Sequence, residues 1–304
     1  MPLCARDDGL SEVVGFVLLL ALIVVALSLY QVYGVPAAGR EAEIAHMNQV
    51  KDRFVDYKIA LDSLWLNNRN GVLLSTAFDL GTGSAATGGS AFSLPILTPA
   101  GSGGTVSVTG GGANLTVTAL KGETEVPVIR DLSLGSLTYQ SSNRYWVEQT
   151  WTYQGGAVFL SQEGGTTVRV APSISARKTN NDNIDLTVAP ISLDGSDTIA
   201  GSGPVRIETR MRWSESLSPE RYDRVDLIIE ADDPAMARAW KRAFDEVRRS
   251  AVGGEDDPLW ISTDLSGNRA TLSLEPGEDG KEVILTRHPA SYEVRIHSAA
   301  SLVE

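Results

Sequence analysis

From Val13 to Tyr33 the chain reads VVGFVLLLALIVVALSLYQVY, 21 residues without a charge, and the uncharged stretch continues to Gly39. At about 1.5 Å per helical residue such a run covers roughly 30 Å, the thickness of a bilayer's hydrocarbon core. The pattern predicts a membrane-spanning helix over residues 10–36, with Tyr30 and Tyr33 at its distal end, where aromatic rings favour the lipid–water interface. The pattern then changes. Met47, Val50, Phe54, Tyr57, Leu61 and Leu64 recur at alternating three- and four-residue spacing with charges between them. This predicts an amphipathic stalk helix over 37–67, ended by the turn-forming Asn67-Asn68-Arg69-Asn70-Gly71. Its apolar stripe suits either packing on the chain's own following domain or packing against neighbouring copies. A kink is expected at Gly34 and Pro36, since proline removes an amide donor and crowds the preceding turn.

Beyond residue 71 the period drops to two. Thr105–Val108, Asn114–Thr118 and Val205–Met211 alternate, and Arg144–Tyr153 carries an aromatic stripe. Gly155-Gly156 precedes Ala157–Leu160, and Thr166–Val170 and Ile184–Val188 flank the turn Asn180–Asn183. Phe92, Leu94, Ile96 and Leu97 suggest burial within a Gly-rich stretch. Together these predict a β-rich, sandwich-like ectodomain over 71–213, its Trp and Tyr rings serving as core. Composition shifts near Ser214–Pro219, and residues 220–304 read as an α+β portion. Val225–Glu230 is a strand, and Asp233 and Pro234 start a helix whose apolar face is Met236, Trp240, Ala243, Phe244 and Val247. Arg248 and Arg249 suit that helix's last turn, and Gly253-Gly254 ends it. Strands follow at Ala270–Leu274, Glu282–Arg287 and Tyr292–His297, the first two joined as a hairpin through Pro276–Gly280. The fold class expected is therefore an N-terminal transmembrane α-helix continuing into a stalk helix, then a mainly β ectodomain with a C-terminal α+β portion.

Composition narrows the chemistry. The 304 residues carry a formal charge of −12, which argues against nonspecific nucleic-acid binding. One cysteine and three histidines build neither an intrachain disulfide nor a zinc site. His46 falls on the stalk helix, where a solvated face is expected, and neither His288 nor His297 stands beside a nucleophile elbow or a paired ligand. No phosphate loop or dinucleotide fingerprint occurs. The acidic pairs at Asp194/Asp197 and Asp232/Asp233 and the run Glu255–Asp257 do not match a calcium loop. No reaction, no cofactor and no metal are expected. Asn114-Leu115-Thr116 is an N-glycosylation sequon, with Asn114 the candidate acceptor if the domain is extracellular.

The start of the apolar run carries a resemblance. Arg6-Asp7-Asp8-Gly9-Leu10-Ser11-Glu12-Val13-Val14-Gly15-Phe16 resembles the beginning of archaeal type IV pilin-like proteins, which carry a class III, prepilin-type signal. The resemblance covers residues 6–66, including Tyr33-Gly34-Val35-Pro36 before the charged helix, and points to an uncharacterised set of such proteins with large β-rich ectodomains. It implies a leader, residues 1–9, removed by a prepilin peptidase between Gly9 and Leu10, with Cys4 leaving in it. It also implies an assembly segment of Glu12, Val13, Val14, Gly15 and Phe16 that meets the membrane and other pilin-like subunits. The acid departs from the bacterial pattern: Glu12 would be third in the mature chain rather than fifth. An ordinary secretory signal cleaved near Val35–Ala38 is the rival reading, although the run is long for one and its leader holds a single Arg against two Asp.

Arg6 before the helix and Arg40, Lys51 and Arg53 after it would mildly favour a cytoplasmic C-terminus. The resemblance implies the opposite, a single-pass protein with its C-terminal domain outside the cell. The expected function is thus a cell-surface structural protein, a pilin-like, minor pilin or pseudopilin subunit. The alternative is a membrane-tethered binding module or adhesin that does not polymerise.

Overall fold

In the structure, a computed structural model, the described residues are 8–83, 97–179, 181–252, 260–277 and 280–298, with backbone alone for 8–11. The chain opens with α1 (Asp8–Leu29), passes through a π-helical turn at Tyr30–Gly34, and continues as α2 (Val35–Leu66). At Gly34 and Pro36, where a kink is expected, the helix widens by one residue into a π-turn. The amide of Val35 donates to the carbonyl of Tyr30, and Gly34 keeps helical angles. The wider turn gives the Pro36 ring room against the preceding carbonyls. α2 stops where the Asn-rich turn predicts, with Arg69 N–H bonded to the carbonyl of Leu64 and Asn68 at positive φ.

Nineteen strands follow among the described residues. The first eight are β1 (Leu73–Asp79), β2 (Gly103–Thr109), β3 (Ala113–Lys121), β4 (Thr124–Ser133), β5 (Ser136–Ser142), β6 (Thr150–Gln154), β7 (Ala157–Gln162) and β8 (Gly165–Val170). Next come β9 (Ile174–Lys178), β10 (Ile184–Val188), β11 (Ile191–Asp194), β12 (Thr198–Gly201), β13 (Pro204–Ser214), β14 (Glu220–Tyr222) and β15 (Arg224–Ala231). Helix α3 (Pro234–Val252) precedes β16 (Ile261–Ser266), β17 (Arg269–Leu274), β18 (Val283–Arg287) and β19 (Ala290–Ser298). They form four sheets, ordered β1-β13-β19-β11, β14-β18-β10-β9, β12-β2-β5-β6-β7-β8 and β16-β17-β15-β3-β4. Among the described residues the chain is therefore a long N-terminal helix followed by a β-rich domain with one further helix.

Strands from 220–304 sit inside sheets begun by 71–213. β19 lies between β13 and β11, β15 pairs with β3, and β18 pairs in parallel with β10. The two portions thus share their backbone hydrogen bonds, and the last third is stitched through the rest of the domain.

Two cores result. The first gathers Met47, Val50, Phe54, Tyr57, Leu61 and Leu64, the whole predicted stripe of α2, against Phe78, Tyr139, Trp151, Tyr153, Val158, Met211 and Tyr292. The second gathers Trp240, Ala243, Phe244 and Val247 of α3 against Phe159, Leu186, Leu227 and Leu272. β7 divides them: Val158 faces the first core and Phe159 the second, so this strand is buried on both faces. Gly155 and Gly156 both take positive φ and close the β6–β7 hairpin as a two-residue turn, a conformation glycine adopts without strain.

Several expectations need correction. Pro276–Gly280 is no hairpin, because β17 and β18 belong to different sheets. The strand before the Asn180–Asn183 turn is β9, not Thr166–Val170, which forms β8 in another sheet. β16 was not anticipated; its two-residue turn to β17 is Gly267-Asn268. Arg144–Tyr153 is strand only from Thr150 onward. Phe92, Leu94, Ile96, Asn180, Gly253-Gly254 and Glu255–Asp257 lie outside the described residues, as do residues 1–7.

Candidate functional site

The exposed half of the long helix is the first candidate. From Glu12 to Leu66 it is one helix of 55 residues, and its most apolar window has no buried residue. Phe16, Leu22 and Tyr33 are 66%, 71% and 71% exposed. So large an apolar cylinder would not be stable in water, because burying each such side chain is worth about 1.5–3 kcal/mol. Its length and composition fit a membrane crossing, and among the described residues it is the one helix able to anchor the chain by a single pass. Gly9 and Leu10 fall in the first turn of α1, and Glu12, Val13, Val14, Gly15 and Phe16 continue it. Glu12, Val13, Val14, Gly15 and Phe16 are all exposed, and a Cβ added at Gly15 would meet nothing.

The second element is the clamp that joins this helix to the β domain. Gly39, Glu43 and His46 are buried on one face of α2, at helical spacings of four and three. The Glu43 carboxylate, 1% exposed, accepts three successive backbone amides: Arg144 at 2.7 Å, Tyr145 at 2.8 Å and Trp146 at 2.7 Å. Three amides converging on one carboxylate form an anion-binding concavity of the kind successive N–H groups make in a turn. The first amides of this segment are thus held by Glu43 rather than by a neighbouring strand, and the amide of Gln149 returns to the Ser141 hydroxyl at 2.8 Å. Gly39 admits the loop, since a Cβ there would lie 2.4 Å from Cδ2 of Tyr145. The Arg40 guanidinium lies over Trp146, 4.5 Å from the ring centroid. The Tyr145 hydroxyl accepts the amide of Ala100 at 3.2 Å, and Asn143 Nδ2 donates to the carbonyl of Val147 at 2.9 Å.

His46 is not on a solvated face, contrary to expectation. It is buried, 3.2 Å from the Tyr139 hydroxyl, which donates to the carbonyl of Leu80 at 2.8 Å. Burial pushes the His46 pKa down, opposed by the nearby carboxylate of Asp79. Farther along α2, Lys58 bonds Asp62 at 2.7 Å and Ser173 at 3.0 Å, and Tyr57 bonds Thr209 at 2.9 Å. The stalk is thereby fixed by polar contacts as well as by its apolar stripe. The sequence reading missed Gly39, Glu43 and Tyr145. The available signal was Gly39 itself, since a helix-interior glycine costs about 1 kcal/mol relative to alanine and so has a packing reason when it occurs.

The other candidates fall into structural roles. His288 stacks on Trp65 at 5.4 Å, and His297 lies 3.3 Å from Glu208. Asp194 pairs with Arg212, Asp197 accepts the amide of Ile296, and Asp233 caps α3 through the amides of Ala235 and Met236. Among the described residues no group of three or more His, Cys, Asp or Glu side chains is placed to hold a metal ion. Asn114 is exposed on β3, between β15 and β4, with Thr116 of its sequon beside Asp131.

A long anchoring helix clamped onto a multi-sheet β domain defines the class, a tethered β-rich protein. Residues 101–275 match a family of unknown function, DUF7289, and the chain belongs to that family. The matched stretch runs from the residues just before β2 through β17 and leaves the apolar helix outside it. No curated protein and no solved structure matches the chain.

Proposed function

We propose that this chain is a cell-surface structural protein of the type IV pilin-like kind, a minor pilin or pseudopilin subunit held by its N-terminal helix. Its β domain lies outside the cell. The observation that carries this reading is the division of one continuous helix, bare and apolar from Val13 to Tyr33 and locked into the β domain from Gly39 to Trp65. A bare apolar helix rigidly joined to a folded head is the form a laterally packing subunit needs. The leader pattern around Gly9 and Leu10 supports the same reading. The partners are the membrane, a prepilin peptidase and other pilin-like subunits. No reaction and no cofactor are proposed.

The test is the mature N-terminus, by intact mass and N-terminal sequencing of the chain from native membranes. Leu10 as the first residue, with processing blocked by Gly9→Trp, is the expected result. An intact Met1, or a start near Ala37, would reject the pilin-like reading. A second reading is a tethered binding module or adhesin that never polymerises. It is favoured by one observation: the heptad-like stripe of α2 is already buried against its own domain.

A further inference from the structure

We propose that the loop 143–148 is a second membrane contact, through which the β domain sits on the lipid headgroup layer beside its own anchor. This rests on the reading of Val13–Tyr33 as the membrane span. The loop's height is set by its clamp to α2: Tyr145 packs on Gly39 and Trp146 on Arg40. Gly39 is six residues beyond Tyr33, or about 9 Å along a helix. The headgroup layer outside a hydrocarbon core is itself roughly 5–8 Å thick, so this level is its outer edge. Helical side chains lean toward the N-terminus, here toward the membrane, so Arg40 and the ring stacked on it lean the same way.

The composition suits that position. Tyr145 and Trp146 are half-buried rings with polar handles, the kind enriched at the lipid interface, and next to them Val147 is 43% exposed. Asn143 closes the loop on the carbonyl of Val147, and the Glu43 contacts occupy its first amides, so it can meet lipid without stranding those backbone groups. The exposed charges at this level cancel, Arg40 and Arg144 against Glu41 and Glu148. The contact is therefore with the amphipathic interface itself rather than with anionic lipid in particular, and it should be insensitive to salt.

The test uses the full chain in phosphatidylcholine nanodiscs, in a Cys4→Ser background, with a nitroxide at Val147→Cys, Leu66→Cys or Leu22→Cys. Leu66 is 64% exposed and lies 27 residues beyond Gly39, about 40 Å farther along the helix. Nickel held on chelating lipid headgroups should relax the Val147 label several-fold faster than the Leu66 label, unchanged in high salt, while oxygen relaxes the Leu22 label. Protection of the Arg144–Trp146 amides against hydrogen exchange shows that each labelled chain keeps its clamp. A Val147 label as unaffected by nickel as the Leu66 label, with Leu22 still in lipid, would overturn the loop contact alone. A Leu22 label outside the lipid would overturn the anchor and the loop contact together. Spin–spin broadening at Val147 that disappears on dilution with unlabelled chain, without nickel relaxation, would assign the loop to another copy and overturn the lipid contact.

Discussion

Removing the Glu43 carboxylate should release the loop 143–148 while leaving the sheets behind it folded. Hydrogen bonds to a charged acceptor are worth about 1.5–3 kcal/mol each, so the three amides on Glu43 represent roughly 4–9 kcal/mol in gross. Burying the carboxylate costs several kcal/mol in return. The net hold on the loop is therefore on the order of 3 kcal/mol. In Glu43→Ala three donors lose their acceptor, each costing about 1–3 kcal/mol until water enters the space. In Glu43→Gln one oxygen still serves Tyr145 and Trp146, but the new amide group faces the N–H of Arg144, donor against donor. The expected order is wild type, then Gln, then Ala. Since 1.4 kcal/mol is a factor of ten, Glu43→Ala should speed exchange of the Arg144–Trp146 amides by roughly a hundredfold, and Glu43→Gln by about tenfold. The assay is native-state hydrogen exchange by mass spectrometry on the full chain in nanodiscs, read on the peptide containing residues 143–149. Exchange of those amides in Glu43→Ala within about twofold of wild type would refute the clamp.

Three further outcomes are expected, two at the stalk and one at α3. Gly39→Ala places a Cβ 2.4 Å from the Tyr145 ring, so the ring must move, and the loop should loosen by about 1–3 kcal/mol in the same exchange measurement. The His46 pKa is lowered by burial, so below about 6.5 the unfolded chain binds the proton that the folded chain refuses, and stability falls as pH drops through that range. His46→Gln should show a smaller drop in denaturation midpoint between pH 7.5 and 5.5 than wild type; an equal drop would remove His46 from the linkage. Asp233→Ala removes the acceptor for the amides of Ala235 and Met236 and should cost α3 about 1 kcal/mol, seen as a lower urea midpoint with an unchanged slope.

Much of the helical structure could be read from residue order, because helices announce themselves locally. The uncharged run, the three-and-four spacing from Met47 to Leu64 and the Asp233-Pro234 start of α3 each depend on residues within a few turns. Strands such as Asn114–Thr118 and Val205–Met211 were legible for the same reason. Their partners were not. β10 takes β18 from about a hundred residues away, and nothing in either segment names the other. β9, Ile174-Ser175-Ala176-Arg177-Lys178, alternates too weakly to stand out, whereas β16 had a usable signal in Gly267-Asn268. Arg144–Gln149 has the aromatic content of a strand, but a carboxylate a hundred residues earlier captures the amides of Arg144, Tyr145 and Trp146. For the candidate site, the apolar anchor was plain and the clamp was hidden, since Glu43 reads as one more charge on a charged helix.

The clamp bears on how copies of the chain could meet. A heptad-like stripe on a stalk suggests a coiled coil, yet here every residue of that stripe is spent on the chain's own first core. The exposed large apolar residues left on the stalk beyond the membrane run are Ile59 and Leu66, seven apart and so on one face, too few for a seam of their own. If copies pack along the helix, Val13–Tyr33 carries the contact, where Gly15 offers a flat spot for close approach and Glu12 stands at the edge of the run. Bulky substitution at Gly15 should then weaken any assembly while sparing single-chain insertion, whereas Ile59→Lys should leave both intact. Those two variants, compared by cross-linking in native membranes, separate a polymerising subunit from a solitary tethered domain. If Gly15→Leu and Ile59→Lys leave cross-linking equally strong, copies meet through the β domains and the helix is only a tether.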